Sequence, residues 1–317
     1  MNNPTDIAIV GTGIVGQSWA IAFARAGVSV RLFDHVDGTA ERAVSLIKDA
    51  LSQQVAHGLL ADGSQDGILD RLTPHRDMAA TLDGVCYVQE STPELLDIKR
   101  VIFKELDALA PADAIVASST SALRPSEFAA GLPGAHRCLV VHPLNPPHMI
   151  PAVEIVPGPD TTPNAITRAT ELMKSIGQSP VVLKTEIAGF VMNRLQGALL
   201  DEAFSLVRDG IADIEDIDTA MCDGLARRWT ITGPFETIDL NAPGGVAGFL
   251  ERYRQAYSEI GEHRPDRPEW SGDMASTVIA ECRRARSLAE LPQRKALRDR
   301  RLAALAAHLE QTTREGE

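Results

Sequence analysis

Cysteine is scarce in this chain, and what there is lies scattered. Cys86, Cys138, Cys222 and Cys282 are far apart and form no Cys-x-x-Cys pair. The sequence therefore offers neither a disulfide framework nor a zinc cluster, no metal site is expected, and a reduced, cytoplasmic compartment fits. Positive charge is outnumbered as well: 31 Lys and Arg stand against 43 Asp and Glu, a formal net charge of −12. Such a surface repels phosphate backbones and anionic lipid, which argues against nucleic acid and membrane as partners. No apolar run reaches the ~18 residues that a membrane-spanning helix requires. The first six residues carry no basic region followed by an apolar core, as a secretory signal does. No internal repeat is visible.

What is present reads as a globular protein of average composition, 44% hydrophobic and 23% charged. A single core stops growing near ~250 to 300 residues, so 317 residues predict two domains. The first half alternates short β-branched runs with amphipathic ones. Strand-like runs fall at residues 7–10, 28–33, 85–89, 114–118, 138–142, 153–156 and 180–184; helical runs fall at 16–26, 95–109 and 163–176. This alternation predicts an α/β domain with a mostly parallel sheet covered on both faces. Residues 187–207 read as one long helix with Phe190, Val191, Leu195, Ala198, Leu199 and Ala203 on an apolar face and Gly210 as its stop. Helical patterns continue to the end. The expected division is an α/β domain over residues 1–185 and an all-helical domain over 186–317. The arginine-rich segment 283–301 is mixed with Glu290 and Asp299 and reads as a solvated helix face.

Gly11-Thr12-Gly13-Ile14-Val15-Gly16 follows the first strand directly and opens a helix. A Gly-x-Gly-x-x-Gly in that context is a dinucleotide fingerprint, which makes the expected fold Rossmann-type. Gly11 permits the tight turn, Gly13 lets the backbone approach the pyrophosphate, and Gly16 lets the helix pack against the strand. The pyrophosphate then rests at a helix N-terminus among free N–H groups, with Ile14 and Val15 in its first turn. Asp34 ends the second strand, 18 residues past Gly16. A carboxylate there accepts from ribose hydroxyls and repels a 2′-phosphate, so the expected cofactor is NAD. Arg31 lies inside the strand, before the acid, and is not read as a phosphate clamp.

His142 ends a strand-like run and Glu154 lies in the next strand, twelve residues on. The two strands can bring both side chains to one end of the sheet. A buried carboxylate that accepts from one imidazole nitrogen fixes the tautomer and leaves the other nitrogen as a base. Ser121 follows another strand, and Asn193 lies in the first turns of the expected long helix. These polar residues fall at strand ends or at the domain junction, where open α/β sheets bind ligands.

Further motifs follow in order: Gln89-Glu90-Ser91-Thr92-Pro93-Glu94, Val141-His142-Pro143-Leu144-Asn145-Pro146-Pro147, Ala188-Gly189-Phe190-Val191-Met192-Asn193-Arg194, Gly233-Pro234-Phe235-Glu236-Thr237 and Asp239-Leu240-Asn241-Ala242. With the fingerprint, the sequence resembles the L-3-hydroxyacyl-CoA dehydrogenase family, and within it the lambda-crystallin / L-gulonate 3-dehydrogenase branch, over at least residues 5 to 250. The resemblance implies that His142 and Glu154 are the catalytic pair. It also implies that Ser121 and Asn193 bind the reacting oxygen, that Asn145 supports the same region, and that Glu94 and Lys99 contact the cofactor. Ser119 and Ala122 depart from the Ser-Asn-Thr-Ser-Ser that the family's acyl-CoA enzymes carry, and the effect is expected on substrate choice.

The reaction so implied is NAD-dependent oxidation of a secondary alcohol β to a carboxyl-type group. Residues 51–69 contain no Lys or Arg to meet the phosphates of a CoA ester, which favours a small free hydroxy acid such as L-gulonate over 3-hydroxybutyryl-CoA. Arg227 and Arg228 stand close to the Gly233-Pro234 motif; a guanidinium suits a free carboxylate, and the resemblance, whose lambda-crystallin branch has an arginine at the matching place, makes Arg228 the expected clamp. A crystallin-like structural protein and an NAD(H)-binding regulator are the non-enzymatic alternatives. The helical half is too apolar to stand alone and the family pairs it with its twin, so a homodimer is expected.

Overall fold

The computed structural model describes residues 6–56, 60–61, 63–230 and 232–262, with isolated positions beyond 283. About half of the arginine-rich segment 283–301, including Arg283, Arg286, Arg294, Lys295 and Arg298, lies outside the described residues. The chain divides into two compact units, one within Met1–Asn193 and Lys295–Glu317, the other within Arg194–Arg294.

The first unit is built on eight strands: β1 (Asp6–Val10), β2 (Ser29–Phe33), β3 (Leu72–His75), β4 (Tyr87–Glu90), β5 (Ile115–Ser118), β6 (Cys138–Pro143), β7 (Ala152–Pro157) and β8 (Ser179–Val182). They form one sheet in the order β3-β2-β1-β4-β5-β6-β7-β8. Every pairing is parallel except β6 with β7. Side chains alternate between two cores. Ile7, Ile9, Ile115, Ala117, Leu139 and Val141 face one side with Trp19 and Phe23 of the helix Ile14–Arg25. Ala8, Val10, Val116 and Val140 face the other with Phe103 and Leu106 of the helix Leu96–Leu109. Burial on both faces is why β5 and β6 read as near-continuous apolar runs.

β3 is not among the strand-like runs of the sequence. It is four residues long and contains Pro74, which a central strand excludes; at the sheet edge no ladder bond is lost. The long helix also starts later than its periodicity implies, at Met192 rather than Ile187. Residues 188–191 form a turn instead, with Gly189 at φ 75° and Phe190 at φ 48°. The turn ends with the backbone N–H groups of Val191 and Met192 on the buried carboxylate of Glu154. Continuing the helix backward to 187 would forfeit those bonds and leave a buried charge short of donors. At its other end the helix stops as expected. Gly210 is left-handed at φ 65°, and the Gly210 and Ile211 N–H groups return to Val207 and Leu206.

The second unit is helical. Its described elements are the remainder of Met192–Arg208, Ile214–Thr219, a π-helical turn at Ala220–Leu225, Ala226–Trp229, Pro234–Leu240, Gly245–Glu262 and a short 3-10 turn at Leu288–Glu290.

Candidate active site

In a sheet that runs outward both ways from β1 and β4, the crevice beyond their carboxyl ends is the place for a ligand. The fingerprint occupies it. Gly11 is at φ 95°, and a Cβ on it would lie 2.6 Å from the Ser91 carbonyl; one on Gly16 would lie 2.0 Å from the Gly11 oxygen. Only glycine fits either position. Gly13 caps the helix Ile14–Arg25 with nothing within 4 Å of where its side chain would be, and both Gly13 and Ile14 are exposed while Val15 is half-buried. The helix N-terminus is thus open for an anion. Asp34, just past β2, accepts from Thr12 N at 2.8 Å and Thr12 Oγ1 at 3.0 Å through Oδ2, and from Val36 N at 3.1 Å through Oδ1. A carboxylate has about four acceptor positions, so one on Oδ1 remains for a ribose hydroxyl. Arg31 turns away from the site, to the Asp6 carboxylate at 2.5 Å and the Asp83 carbonyl at 2.6 Å. These residues fit an NAD molecule.

His142 and Glu154 are direct partners across the antiparallel β6–β7 pair. Opposed residues project to the same face, and Nδ1 of His142 lies 2.7 Å from Oε2 of Glu154. The other oxygen, Oε1, accepts from Val191 N at 2.6 Å and Met192 N at 2.9 Å. Burial alone would raise the Glu154 carboxyl, but hydrogen bonds from His142, Met192 and Val191 outweigh it and hold it below its ordinary 4.5. Ionised Glu154 requires a proton on Nδ1, which leaves the lone pair on Nε2. Among the described residues Nε2 has no hydrogen-bond partner, and the Phe190 ring packs 5.5 Å from the imidazole. The pair is set up to take a proton at Nε2 and to stabilise the resulting imidazolium.

Ser121 and Asn193 come together beside this pair of strands. The Asn193 amide donates to the Ser121 carbonyl at 2.7 Å. Ser121 itself is exposed, and its N–H is held by Glu94 Oε1 at 2.9 Å. The same oxygen receives Ala122 N at 3.1 Å and the Thr120 hydroxyl. Glu94 thus shapes the turn that presents Ser121. Asn145 is exposed just past the end of β6.

The resemblance makes Lys99 a cofactor contact, and the structure places its ammonium in a buried polar cluster. It is 1% exposed, and its ammonium is engaged by Glu90 Oε1 at 2.8 Å, Glu90 Oε2 at 2.9 Å and the Thr92 carbonyl at 3.0 Å. A lysine has three protons to give, and these contacts occupy them within the protein. Glu90 also takes the Ser118 hydroxyl and the Thr92 N–H. Lys99 and Glu90 tie the end of β4 to the end of β5 from beneath, and Glu94 Oε2 stands 3.8 Å from the ammonium.

Arg228 belongs to the second unit, on the short helix Ala226–Trp229, and is exposed. Arg227 is paired with Asp223 at 2.7 Å, whereas Arg228 has no ion pair among the described residues. No group of three or more His, Cys, Asp or Glu among the described residues could hold a metal, and no described helix is long and apolar enough to cross a membrane.

Comparison with known proteins agrees with this geometry. A family model for the NAD-binding domain of 3-hydroxyacyl-CoA dehydrogenase matches residues 6–186, and one for the C-terminal domain of the same family matches 189–276. The chain is 39% identical over 307 residues to lambda-crystallin of Oryctolagus cuniculus, covering 95% of each. It is 35% identical over 295 residues to L-carnitine dehydrogenase of Oceanobacillus iheyensis, covering 91% of this chain and 94% of the relative. Among solved structures, 5-formyl-3-hydroxy-2-methylpyridine 4-carboxylic acid 5-dehydrogenase, an NAD+ dependent dismutase, matches with a TM-score of 0.81 and 29% identity over 97% of this chain and 99% of that one. With a dinucleotide cradle, a His–Glu pair and two matched family domains in one chain, the protein belongs to the 3-hydroxyacyl-CoA dehydrogenase family and is an NAD-dependent oxidoreductase acting on CH–OH groups.

Proposed function

We propose that the protein oxidises the 3-hydroxyl of a small free hydroxy acid to the 3-oxo acid, with L-gulonate the leading candidate. The observation that carries the reaction is the buried His142–Glu154 pair with Nε2 unengaged. NAD, when bound, supplies the hydride acceptor. His142 takes the hydroxyl proton at Nε2, Glu154 orients the ring and balances its charge, and the Ser121 and Asn193 side chains hydrogen-bond the oxygen as it becomes a carbonyl. Asn145 supports the same region, and Glu94 holds the Ser121 turn.

The choice of a free acid over a CoA ester rests on charge and on the company the chain keeps. Residues 51–69 offer no cation to a nucleotide phosphate. Two of the similar proteins are named for free acids, L-carnitine and a pyridine carboxylic acid. Arg228, unlike Arg227, is available as the carboxylate's partner. An assay of NADH absorbance with gulonate, carnitine, 3-hydroxybutyrate and 3-hydroxybutyryl-CoA side by side tests this. Turnover confined to the CoA ester would reverse the substrate reading, and NADH binding without turnover of any of them would leave a regulatory or structural protein. With the acid that is turned over, Arg228→Met should raise KM at least ~tenfold, or about 1.4 kcal/mol, the scale of one charge-assisted contact, and leave NADH affinity alone. A KM change under twofold excludes Arg228 as the clamp.

The protein is also proposed to be a homodimer in a reduced, cytoplasmic setting. Among the described residues of 194–262 only Thr237 is buried. Large apolar side chains stand open instead: Phe235 at 81%, Leu240 at 70%, Leu195 at 65% and Tyr257 at 61% exposure. So much uncovered apolar surface calls for a partner, and a second copy covers it by self-complementary packing. Light scattering at micromolar concentration should give twice the 34.1 kDa chain mass; a monomer mass rules the dimer out.

A further inference from the structure

We propose that the hydroxyl of Ser91, its proton directed outward by Ser119, donates a hydrogen bond to an oxygen on the nicotinamide riboside half of the bound dinucleotide. The count of protons around Ser119 fixes the direction of each bond. Three polar atoms converge on the Ser119 hydroxyl: Nε2 of Gln89 at 2.7 Å, Oγ of Ser91 at 2.9 Å and Nε1 of Trp19 at 3.1 Å. An indole N–H can only donate. The Gln89 amide is oriented by its other contacts. Its Nε2 faces the Val141 carbonyl at 3.5 Å, which can only accept, and its Oε1 takes the Tyr87 hydroxyl. Burial holds the Tyr87 phenol well above its ordinary pKa, so it remains a donor. Trp19, Tyr87 and Gln89 are all fully buried.

Both lone pairs of the Ser119 oxygen are therefore taken. Its single proton has one acceptor within reach, the Ser91 oxygen. Ser91 accepts it and keeps its own proton for something else. No other hydrogen bond of that hydroxyl exists among the described residues, and Ser91 is only partly buried.

Position says what the proton meets. Ser91 is the first residue past β4, its N–H bonded to the Val10 carbonyl at the end of β1, and its carbonyl sits against Gly11 of the fingerprint. In the sheet, β4 lies between β1 with its fingerprint and β5 and β6 with Ser121 and His142. A dinucleotide anchored by its pyrophosphate at Gly13 and presenting its reactive ring to His142 must pass the end of β4. The part that passes is the nicotinamide riboside, whose acceptors are ribose and carboxamide oxygens. Ser119, which the sequence reading assigns to substrate choice, turns its hydroxyl to the cofactor side instead.

The proposal needs NAD binding only and is independent of the substrate reading, so its test is a titration without substrate. NADH, ADP-ribose and ADP are titrated against the unmutated protein, Ser91→Ala, Ser119→Ala and the double variant. Loss of one neutral hydrogen bond should raise the NADH Kd about three- to tenfold in Ser91→Ala, with the ADP Kd unchanged. A parallel rise for ADP-ribose assigns the contact to the ribose; a rise for NADH alone assigns it to the carboxamide. Ser119→Ala removes the group that orients Ser91, so the ratio of NADH to ADP affinity should fall, and in the double variant it should fall no further than in Ser91→Ala. Unchanged NADH affinity in Ser91→Ala overturns the proposal. So does an equal loss for NADH and ADP, which would mark a general loosening of the fingerprint, and so does a double variant whose ratio falls by the product of the two single effects.

Discussion

Replacing His142 with Asn should lower kcat by about 10² to 10⁴, the usual worth of a positioned general base, while the Kd for NADH stays within twofold. The two readouts separate because of where the groups sit. His142 lies near the end of β6, two strands away from β4 and three from the fingerprint strand β1, and among the described residues makes its one side-chain hydrogen bond to Glu154. Removing the imidazole takes away the proton acceptor and leaves the cradle for the pyrophosphate untouched. Activity below the assay floor with NADH binding equally lost would mean that the domain had been damaged and the base not isolated. Activity unchanged would end the assignment. Glu154→Gln provides the companion result. The carboxylate meets donors on both oxygens, His142 on one and the N–H groups of Val191 and Met192 on the other. An amide has a single accepting end, so Gln must set its NH₂ against a donor on one side or the other. Both kcat and Tm should fall, unlike the His142 variant, in which the helix start keeps its acceptor. The pH dependence has a definite sign. The folded-state pKa of Glu154 lies below 4.5, so its stabilisation is complete above the unfolded value and is lost as pH falls through the folded one. Glu154→Gln should therefore flatten the acid limb of the Tm profile below about pH 4.5.

Parts of this site can be read directly from residue order, and parts cannot. The fingerprint, Asp34 and the His142–Glu154 pair are legible because each is tied to a strand end. Strands buried on both faces announce themselves as apolar runs whose ends are easy to place. The start of the long helix is not legible. The apolar spacing of Phe190 and Val191 continues that of Leu195 and Leu199, yet Phe190 is buried at φ 48° because the turn is organised around Glu154, some 36 residues earlier. Lys99 shows the same limit. The resemblance makes it a cofactor contact, and only the structure shows how Glu90 and the Thr92 carbonyl engage its ammonium. The Ser119 cluster has no sequence signature, since Trp19, Gln89, Ser91 and Ser119 share no periodicity and Trp19 is 100 residues from Ser119. Local pattern fixes which residues reach the carboxyl end of the sheet. Which protons they have left to give depends on partners that the chain brings from far away.

The second large effect is cofactor discrimination. The kcat/KM ratio for NAD over NADP should be at least ~100-fold in the unmutated protein, about 2.7 kcal/mol. Two unit charges 4 Å apart at an effective dielectric of ~20 repel by about 4 kcal/mol, and solvent at the half-buried Asp34 screens part of that. The 2′-phosphate of NADP would meet the carboxylate where a ribose hydroxyl otherwise donates to Oδ1. The nearest strand cation, Arg31, cannot neutralise it, because its guanidinium is held by Asp6 and the Asp83 carbonyl. Asp34 has a second duty, however. Its Oδ2 accepts from both Thr12 N and Thr12 Oγ1 and so pins the fingerprint turn. Asp34→Ala removes the repulsion and the pin together, so NAD should bind more weakly while the preference narrows to within ~tenfold. Asp34→Asn keeps one accepting oxygen for Thr12 but no charge, and should narrow the preference with a smaller loss of NAD affinity. The comparison separates charge from architecture. Equal kcat/KM for the two cofactors in the unmutated protein refutes the role of Asp34; a preference that survives in both variants moves the discrimination to another group on the crevice wall.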